Sequence, residues 1–312
     1  MESGAINSPI FVVGPPRSGT TLIQLLVSAH ENIYTLPETH FFTYIKDVVG
    51  DQHDKGYVAD ILHALSQKPG IIFNKISSDK IIKCIEKSGI DDGNVLNCII
   101  QEFKAVNNLF GTRWLEKTPR HILKLDMIKK FWPNARIIVV LRDPRGAISS
   151  FHSKREFHSK YSRYIDLFQR IYAWKVCIAA LKNTETKYKQ IRYESFIADP
   201  QHTLDDLMVY VGEKQQSDQL HKFSDNFSTS TLKSETHKQL NESSKIIDRT
   251  MIWKERLTHS EIRWIEYLCS TEMSQLSYMT TCSVRIPLHQ LHFYLFYRVI
   301  KVYSRIKQWI LE

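Results

Sequence analysis

The stretch Ile10-Phe11-Val12-Val13-Gly14-Pro15-Pro16-Arg17-Ser18-Gly19-Thr20-Thr21 carries three kinds of local chemistry in succession. Ile10 to Val13 is a short apolar run rich in β-branched residues. It reads as a buried parallel strand, because a strand covered on both faces shows no polar alternation. Gly14-Pro15-Pro16 turns the chain. From about Ser18 to Ala29, Leu22, Leu25, Leu26 and Ala29 then fall on one face at helical spacing. Strand, glycine-bearing turn and helix in that order open an α/β nucleotide-binding fold. The turn keeps the two-glycine spacing of the G-x-x-x-x-G-K-[ST] phosphate loop. Successive amides and a helix N-terminus there make a cradle for an anion. Thr20 stands where that loop has its Lys, and Arg17 supplies a cation instead. Such a loop is poorly equipped for a magnesium–triphosphate.

Outward from this opening, Asn32 to Leu36 is a loop or short strand. Phe41 to about Asn108 is mostly helical, with helices expected over 57–65, 78–87 and 94–106 and breaks at Lys68-Pro69-Gly70 and Asp91-Asp92-Gly93. This reads as an insertion of about 41–110 between strands. Further strands are expected over 113–116, 136–141 (RIIVVL) and 187–193, with a long helix over 161–182. Strands alternating with helices predict a P-loop-like three-layer α/β fold with a central parallel sheet and a helical C-terminal region. Residues 1–285 form the expected main domain. Ser224 to Asp248 is polar and reads as a lid or surface loop. Residues 286–312 form a basic amphipathic helix, with Leu288, Leu291, Leu295, Val299, Val302, Ile306 and Trp309 at helical spacing and Arg298, Lys301, Arg305 and Lys307 between them. Packing on the domain or on a second subunit is the first expectation, and peripheral membrane contact the second.

The chain has 312 residues, 43% hydrophobic, 24% charged, with a formal net charge of +9. That balance suits a globular protein with anionic partners. Zinc-finger spacing, basic-region heptads and an RNA-binding aromatic signature are missing, so nucleic acid is not the expected partner. Cys84, Cys98, Cys177, Cys269 and Cys282 form no CxxC pair. They read as thiols in a reducing compartment, with neither a metal site nor a disulfide framework expected. No signal or anchor segment is evident, which points to a cytoplasmic protein, membrane-peripheral if the C-terminal helix binds lipid.

A second run, Arg142-Asp143-Pro144-Arg145-Gly146-Ala147-Ile148-Ser149-Ser150, follows the strongest strand. Arg142 sits at the strand's carboxyl end, where ligands bind in open α/β sheets. Pro144 suits the first turn of a helix, and Ser150 lies about two turns beyond Arg142, so both can reach one phosphate. The PPRSGTT loop and the R-D-P-R run with Ser at this separation resemble the two phosphate sites of the sulfotransferases that use 3′-phosphoadenosine 5′-phosphosulfate (PAPS). The first loop is particularly similar to that of the tyrosylprotein sulfotransferases and their bacterial relatives. The resemblance implies that Arg17, Ser18, Gly19, Thr20 and Thr21 hold the 5′-phosphosulfate, that Arg142 and Ser150 hold the 3′-phosphate, and that PAP is the product. Arg192-Tyr193-Glu194-Ser195-Phe196 with Asp199-Pro200 resembles a further family segment, which implies nucleotide contact by Tyr193. Lys245 and Trp253, from the 224–253 region, are the candidates for completing the adenine and phosphate pocket.

On the acceptor side, Glu38 in Pro37-Glu38-Thr39-His40-Phe41-Phe42 matches the position of a catalytic Glu in tyrosylprotein-type relatives. His40 and His121 are rival bases, since a neutral imidazole titrates near neutrality. His152, just past Ser150, reads as a helix residue near the nucleotide. Lys117, in Glu116-Lys117-Thr118-Pro119-Arg120-His121, resembles the family lysine that stabilises the leaving phosphate, alongside Arg17. The expected activity is sulfuryl transfer to a hydroxyl or amine of a small-molecule, carbohydrate, lipid or peptide acceptor, without a metal. A catalytically inactive nucleotide-binding or membrane-peripheral protein of the same fold is the first alternative, and a P-loop phosphotransferase the second.

Overall fold

A computed structural model describes residues 8–45, 49, 56–67, 76–152, 159–223, 246–281, 295, 297–299 and 302. Five parallel strands form its sheet: β1 (Ile10–Val13), β2 (Ile33–Thr35), β3 (Arg113–Lys117), β4 (Arg136–Leu141) and β5 (Lys189–Arg192), in the spatial order β2-β3-β1-β4-β5. β1 is central, with Ile10 opposite Leu115 of β3 and Arg136 of β4. Successive strand residues point to opposite faces, and each face has its own core. Phe11 and Val13 join Ile137, Val139 and Leu141 in one cluster, whereas Ile10 and Val12 join Ile138 and Val140 in the other. Burying each such side chain is worth about 1.5–3 kcal/mol, which is why IFVV and RIIVVL carry no polar alternation.

The second cluster is covered by α1 (Thr20–Ser28) and by two helices after β5, α8 (Tyr193–Ala198) and α9 (Pro200–Val211). The first is covered by α2 (Tyr57–Gln67), α3 (Ser78–Ser88) and α4 (Asp92–Val106), which lie between β2 and β3 in the chain. Further α-helices are α5 (Leu125–Phe131), α6 (Pro144–His152), α7 (Lys160–Asn183), α10 (Trp253–Arg256) and α11 (His259–Gln275), and short helical turns at Phe41–Ile45 and Pro119–Lys124 follow β2 and β3. Their ends follow local chemistry. Asp199 caps α9 by accepting from His202 N with Pro200 in the first turn, and Thr258 and Glu261 close a capping box on α11.

Two sequence expectations change here. Cys84 and Cys98 form a disulfide, with a Cα–Cα distance of 5.8 Å, where unpaired thiols were expected. They sit on α3 and α4, which pack together across the turn at residues 89–91, so the pairing depends on helix packing and leaves no spacing signature. Cys177 and Cys269 are buried free thiols whose titration burial pushes up, and Cys282 lies outside the described residues. The last strand is also shorter than expected, ending at Arg192, because Tyr193 opens α8.

Most of the polar stretch 224–248, including Lys245, lies outside the described residues, as does most of the C-terminal helix. Of the latter, Tyr297 is buried against Phe168, ring centroids 5.7 Å apart, while Leu295, Val299 and Val302 are exposed. No described helix is long and apolar enough to cross a membrane.

Candidate active site

The parallel arrangement delivers the carboxyl ends of all five strands, and the segments after them, to one edge of the sheet, where α/β folds bind ligands. Residues 14–19 follow β1, 36–42 follow β2, 118–121 follow β3, 142–146 follow β4 and Tyr193 follows β5. The sequence-predicted phosphate-site and acceptor-side residues belong to β3 or to these segments, or to the α1 and α6 turns that continue them, whereas Trp253 opens α10 and Lys245 lies outside the described residues.

The loop after β1 is held in an unusual backbone. Arg17 has φ 70°, a left-handed conformation rare for a residue with a side chain. Gly19 has φ 95°, and a Cβ there would lie 2.6 Å from the Tyr193 ring, so both conformation and space demand glycine. α1 starts at Gly19 with no side-chain cap and no acidic residue in its first turn, which leaves an electropositive helix end. Arg17 Nε donates to Ser150 Oγ at 3.1 Å. Arg142 is buried, its guanidinium 4.1 Å above the Tyr193 ring, and its terminal nitrogens donate to the carbonyls of Arg17 (3.3 Å) and Arg249 (2.7 Å). Gly146 makes room for it, since a Cβ there would approach Arg142 Nε to 2.9 Å.

Three polar atoms in this cluster, Ser18 Oγ, Arg142 Nε and Tyr193 OH, are buried without a hydrogen-bond partner. Each orphaned group costs about 1–3 kcal/mol, so their concentration at one place calls for a ligand that accepts hydrogen bonds. The charges agree. Burial lowers the pKa of Arg17, with Arg142 and Arg249 adding to the effect and Glu38 opposing it. Arg142 is lowered by burial too, with Tyr193, Glu194 and Asp143 opposing and Arg249 adding to it, and Arg256 is lowered by burial and by Arg249 and Arg142. Four crowded arginines fit a multiply charged anion such as a nucleotide with separate phosphate groups.

Glu38 lies across the same opening. Lys117 Nζ donates to Glu38 Oε1, and His40 Nε2 lies 3.1 Å from Glu38 Oε2. Burial raises the Glu38 pKa, but the hydrogen bond from His40 and the charge and hydrogen bond of Lys117 outweigh it and bring the group down to about 2. The carboxylate is therefore ionised at neutral pH. A cavity of about 270 Å³ is lined jointly by Arg17, Gly19, Thr20, Thr21, Glu38, His40 and Ser150, together with Arg120 and Phe151.

The structure separates the rival bases. His40, with φ 52°, lines the cavity. His121 is fully buried, with Nδ1 3.0 Å from Glu116 Oε2 and Nε2 accepting from Phe42 N at 3.2 Å, so both ring nitrogens are occupied away from the cavity. Trp253 is also in the core, with Arg145 stacked 4.2 Å from its ring, and not among the cavity-lining residues. His152 is helical, within α6. Sequence reasoning missed Arg249, Arg256, Arg120 and Phe151 as neighbours of the site. It also missed Glu194, which accepts from Asp143 N at 3.0 Å and so fixes the turn after β4. Glu194 stands inside the RYE run already singled out, whereas Arg249 carries no local signal.

The model of the sulfotransferase family matches residues 9–217. Protein-tyrosine sulfotransferase A of Caenorhabditis elegans is 22% identical over 200 residues, covering 62% of this chain and 46% of that protein. Protein-tyrosine sulfotransferase 1 of Homo sapiens is 27% identical over 150 residues, covering 47% of this chain and 34% of that protein. The chain thus spans a third to a half of the length of these relatives. Among solved structures, the sulfotransferase domain from the curacin biosynthetic pathway superposes with a TM-score of 0.52 at 17% identity, covering 88% of this chain and 99% of that one. The corresponding domain of the Synechococcus PCC 7002 olefin synthase gives 0.51 at 16% identity, covering 87% and 96%. At those identities the likeness is one of fold.

Proposed function

The chain belongs to the sulfotransferase family, and from that premise we propose that it transfers a sulfuryl group from PAPS to an acceptor hydroxyl or amine, with Glu38 as general base. The observation that carries this reading is a shared cavity: the Arg17–Thr21 loop and Glu38 line the same opening. PAPS supplies the sulfuryl group. Arg17, Ser18, Gly19, Thr20 and Thr21 hold its 5′-phosphosulfate, Arg142 and Ser150 hold the 3′-phosphate, and Tyr193 contacts the nucleotide. In the reaction the acceptor oxygen or nitrogen forms a bond to sulfur, the bond from sulfur to the 5′-phosphate oxygen breaks, and PAP leaves. The acceptor proton passes to Glu38. Lys117 and Arg17 neutralise the charge that develops on the leaving oxygen. A carboxylate with a pKa of about 2 serves as a base here because group transfer through a loose transition state moves the proton late.

A tyrosine-containing peptide is the first acceptor to test, since the matched relatives are protein-tyrosine sulfotransferases. Carbohydrates, lipids and phenolic small molecules complete the panel. The Cys84–Cys98 disulfide supports maturation under oxidising conditions, and the contact of Tyr297 with Phe168 supports docking of the C-terminal segment on its own domain. The direct test is incubation with radiolabelled PAPS and that panel. Label should reach an acceptor, Arg17→Ala should abolish the transfer, and Glu38→Gln should slow it to a low but measurable rate. Turnover of magnesium–ATP with no transfer to any acceptor class would refute the reading.

A further inference from the structure

Glu116, at the carboxyl end of β3, is a fully buried carboxylate outside the cavity. Its Oε1 accepts from Thr39 N (3.2 Å), Thr39 Oγ1 (2.9 Å) and Thr118 Oγ1 (2.5 Å), and its Oε2 pairs with His121 Nδ1 (3.0 Å). Burial alone would raise its pKa, but His121 and the two threonine hydroxyls more than offset that and hold it low. Each partner passes the polarity on. Thr118 Oγ1 donates to Glu116 and accepts from His40 N at 3.1 Å. Thr39 Oγ1 donates to Glu116 and accepts from Phe41 N at 3.3 Å. His121 donates from Nδ1 and accepts from Phe42 N at Nε2.

Four consecutive backbone amides, Thr39 to Phe42, therefore all terminate on one carboxylate, directly or through one intermediary. Glu38 immediately precedes them, and His40, which touches Glu38, has its left-handed φ inside them. We infer that Glu116, acting through Thr118 and His121, is a positioning residue that fixes the turn presenting Glu38 and His40 to the cavity. The inference rests on Glu38 being the general base. It requires a carboxylate at this place, because every group around Glu116 is a donor. A glutamine of the same shape would set its NH2 group against either His121 Nδ1–H or the Thr39 amide N–H, depending on which way the amide lies. Moving the imidazole proton to Nε2 would then oppose the Phe42 amide.

The test is a double-mutant cycle on turnover with radiolabelled PAPS and a tyrosine-containing peptide, beside calorimetric PAP binding. Glu116→Gln should lower kcat at least about tenfold while PAP affinity stays within about twofold. In the Glu38→Gln background it should cost less than about a further twofold, since it acts only through that carboxylate. Thr118→Val, a shape-conserving change that removes a single relay, should lower kcat in the same direction if Glu116→Gln fails to fold. Additive losses, a matching loss of PAP affinity, or wild-type kcat in Glu116→Gln and Thr118→Val would overturn the positioning role alone. Wild-type kcat in Glu38→Gln would overturn the base assignment and the positioning role together.

Discussion

Replacing Arg142 by methionine keeps the aliphatic stem and removes the guanidinium. In the structure its two terminal nitrogens each give a hydrogen to a backbone carbonyl, and Nε–H is buried and unpartnered. A hydrogen bond from a charged donor contributes about 1.5–3 kcal/mol. One such bond from Nε to a 3′-phosphate therefore corresponds to about a 10- to 150-fold loss of PAP affinity in the variant. Stability should fall, because the two carbonyl hydrogen bonds go, each contributing about 1.5–3 kcal/mol from a charged donor, and only one effect opposes the loss. The stacking of Arg142 on Tyr193 is lost, worth about 0.5–1 kcal/mol at an exposed site and up to about 2 when desolvated, while Arg17 and Arg256 are relieved of a like charge that lowers their pKa. The assay is calorimetric titration of wild type and Arg142→Met with PAP and with AMP, which lacks the 3′-phosphate. PAP binding should weaken within that range and AMP binding by less than about threefold. Equal weakening of both ligands, or none for PAP, would refute the placement of the 3′-phosphate on Arg142.

Further outcomes follow from single features. Gly19→Ala should destabilise the fold by about 1–3 kcal/mol, measured by denaturant unfolding, and reduce PAP affinity, because it combines a positive φ with a clash on Tyr193. Cys98→Ser should lower stability by about 3 kcal/mol, the chain-entropy value for a loop of this order, given the separation of 14 residues. Intact mass before and after reduction should show that bond directly. With its pKa lowered to about 2, Glu38 is already ionised well below neutrality. As the pH falls from 8 towards about 5, the fraction of ionised base stays near one, so no acid limb of kcat/KM in that window belongs to Glu38. Glu38→Gln should lower the rate without changing the shape of the profile there.

The parts of the site that were legible in sequence are those made by contiguous residues. The loop 14–21 and the run 142–150 each carry strand, turn and helix within one stretch, and backbone geometry alone places their cations at the sheet edge. The strands are legible for the same reason, since IFVV and RIIVVL must be covered on both faces. Tertiary contacts left no such trace. Cys84 meets Cys98 because two helices pack together, and Arg249 meets Arg142 across more than a hundred residues. His121 reads as a rival base in sequence, yet it is sealed between Glu116 and Phe42 N. Trp253 is buried with Arg145 stacked on its ring, a neighbour that nothing in the sequence around it announces. In each case the deciding quantity was which groups surround the residue, and that is set by the fold.

The measurement that bears most directly on the account is calorimetric titration of the protein with PAP, PAPS, ADP and ATP, each with and without magnesium. The account predicts micromolar binding that needs no metal and favours PAP and PAPS over the nucleotides without a 3′-phosphate. Preference for magnesium–ATP, or no binding of PAP at all, would contradict it.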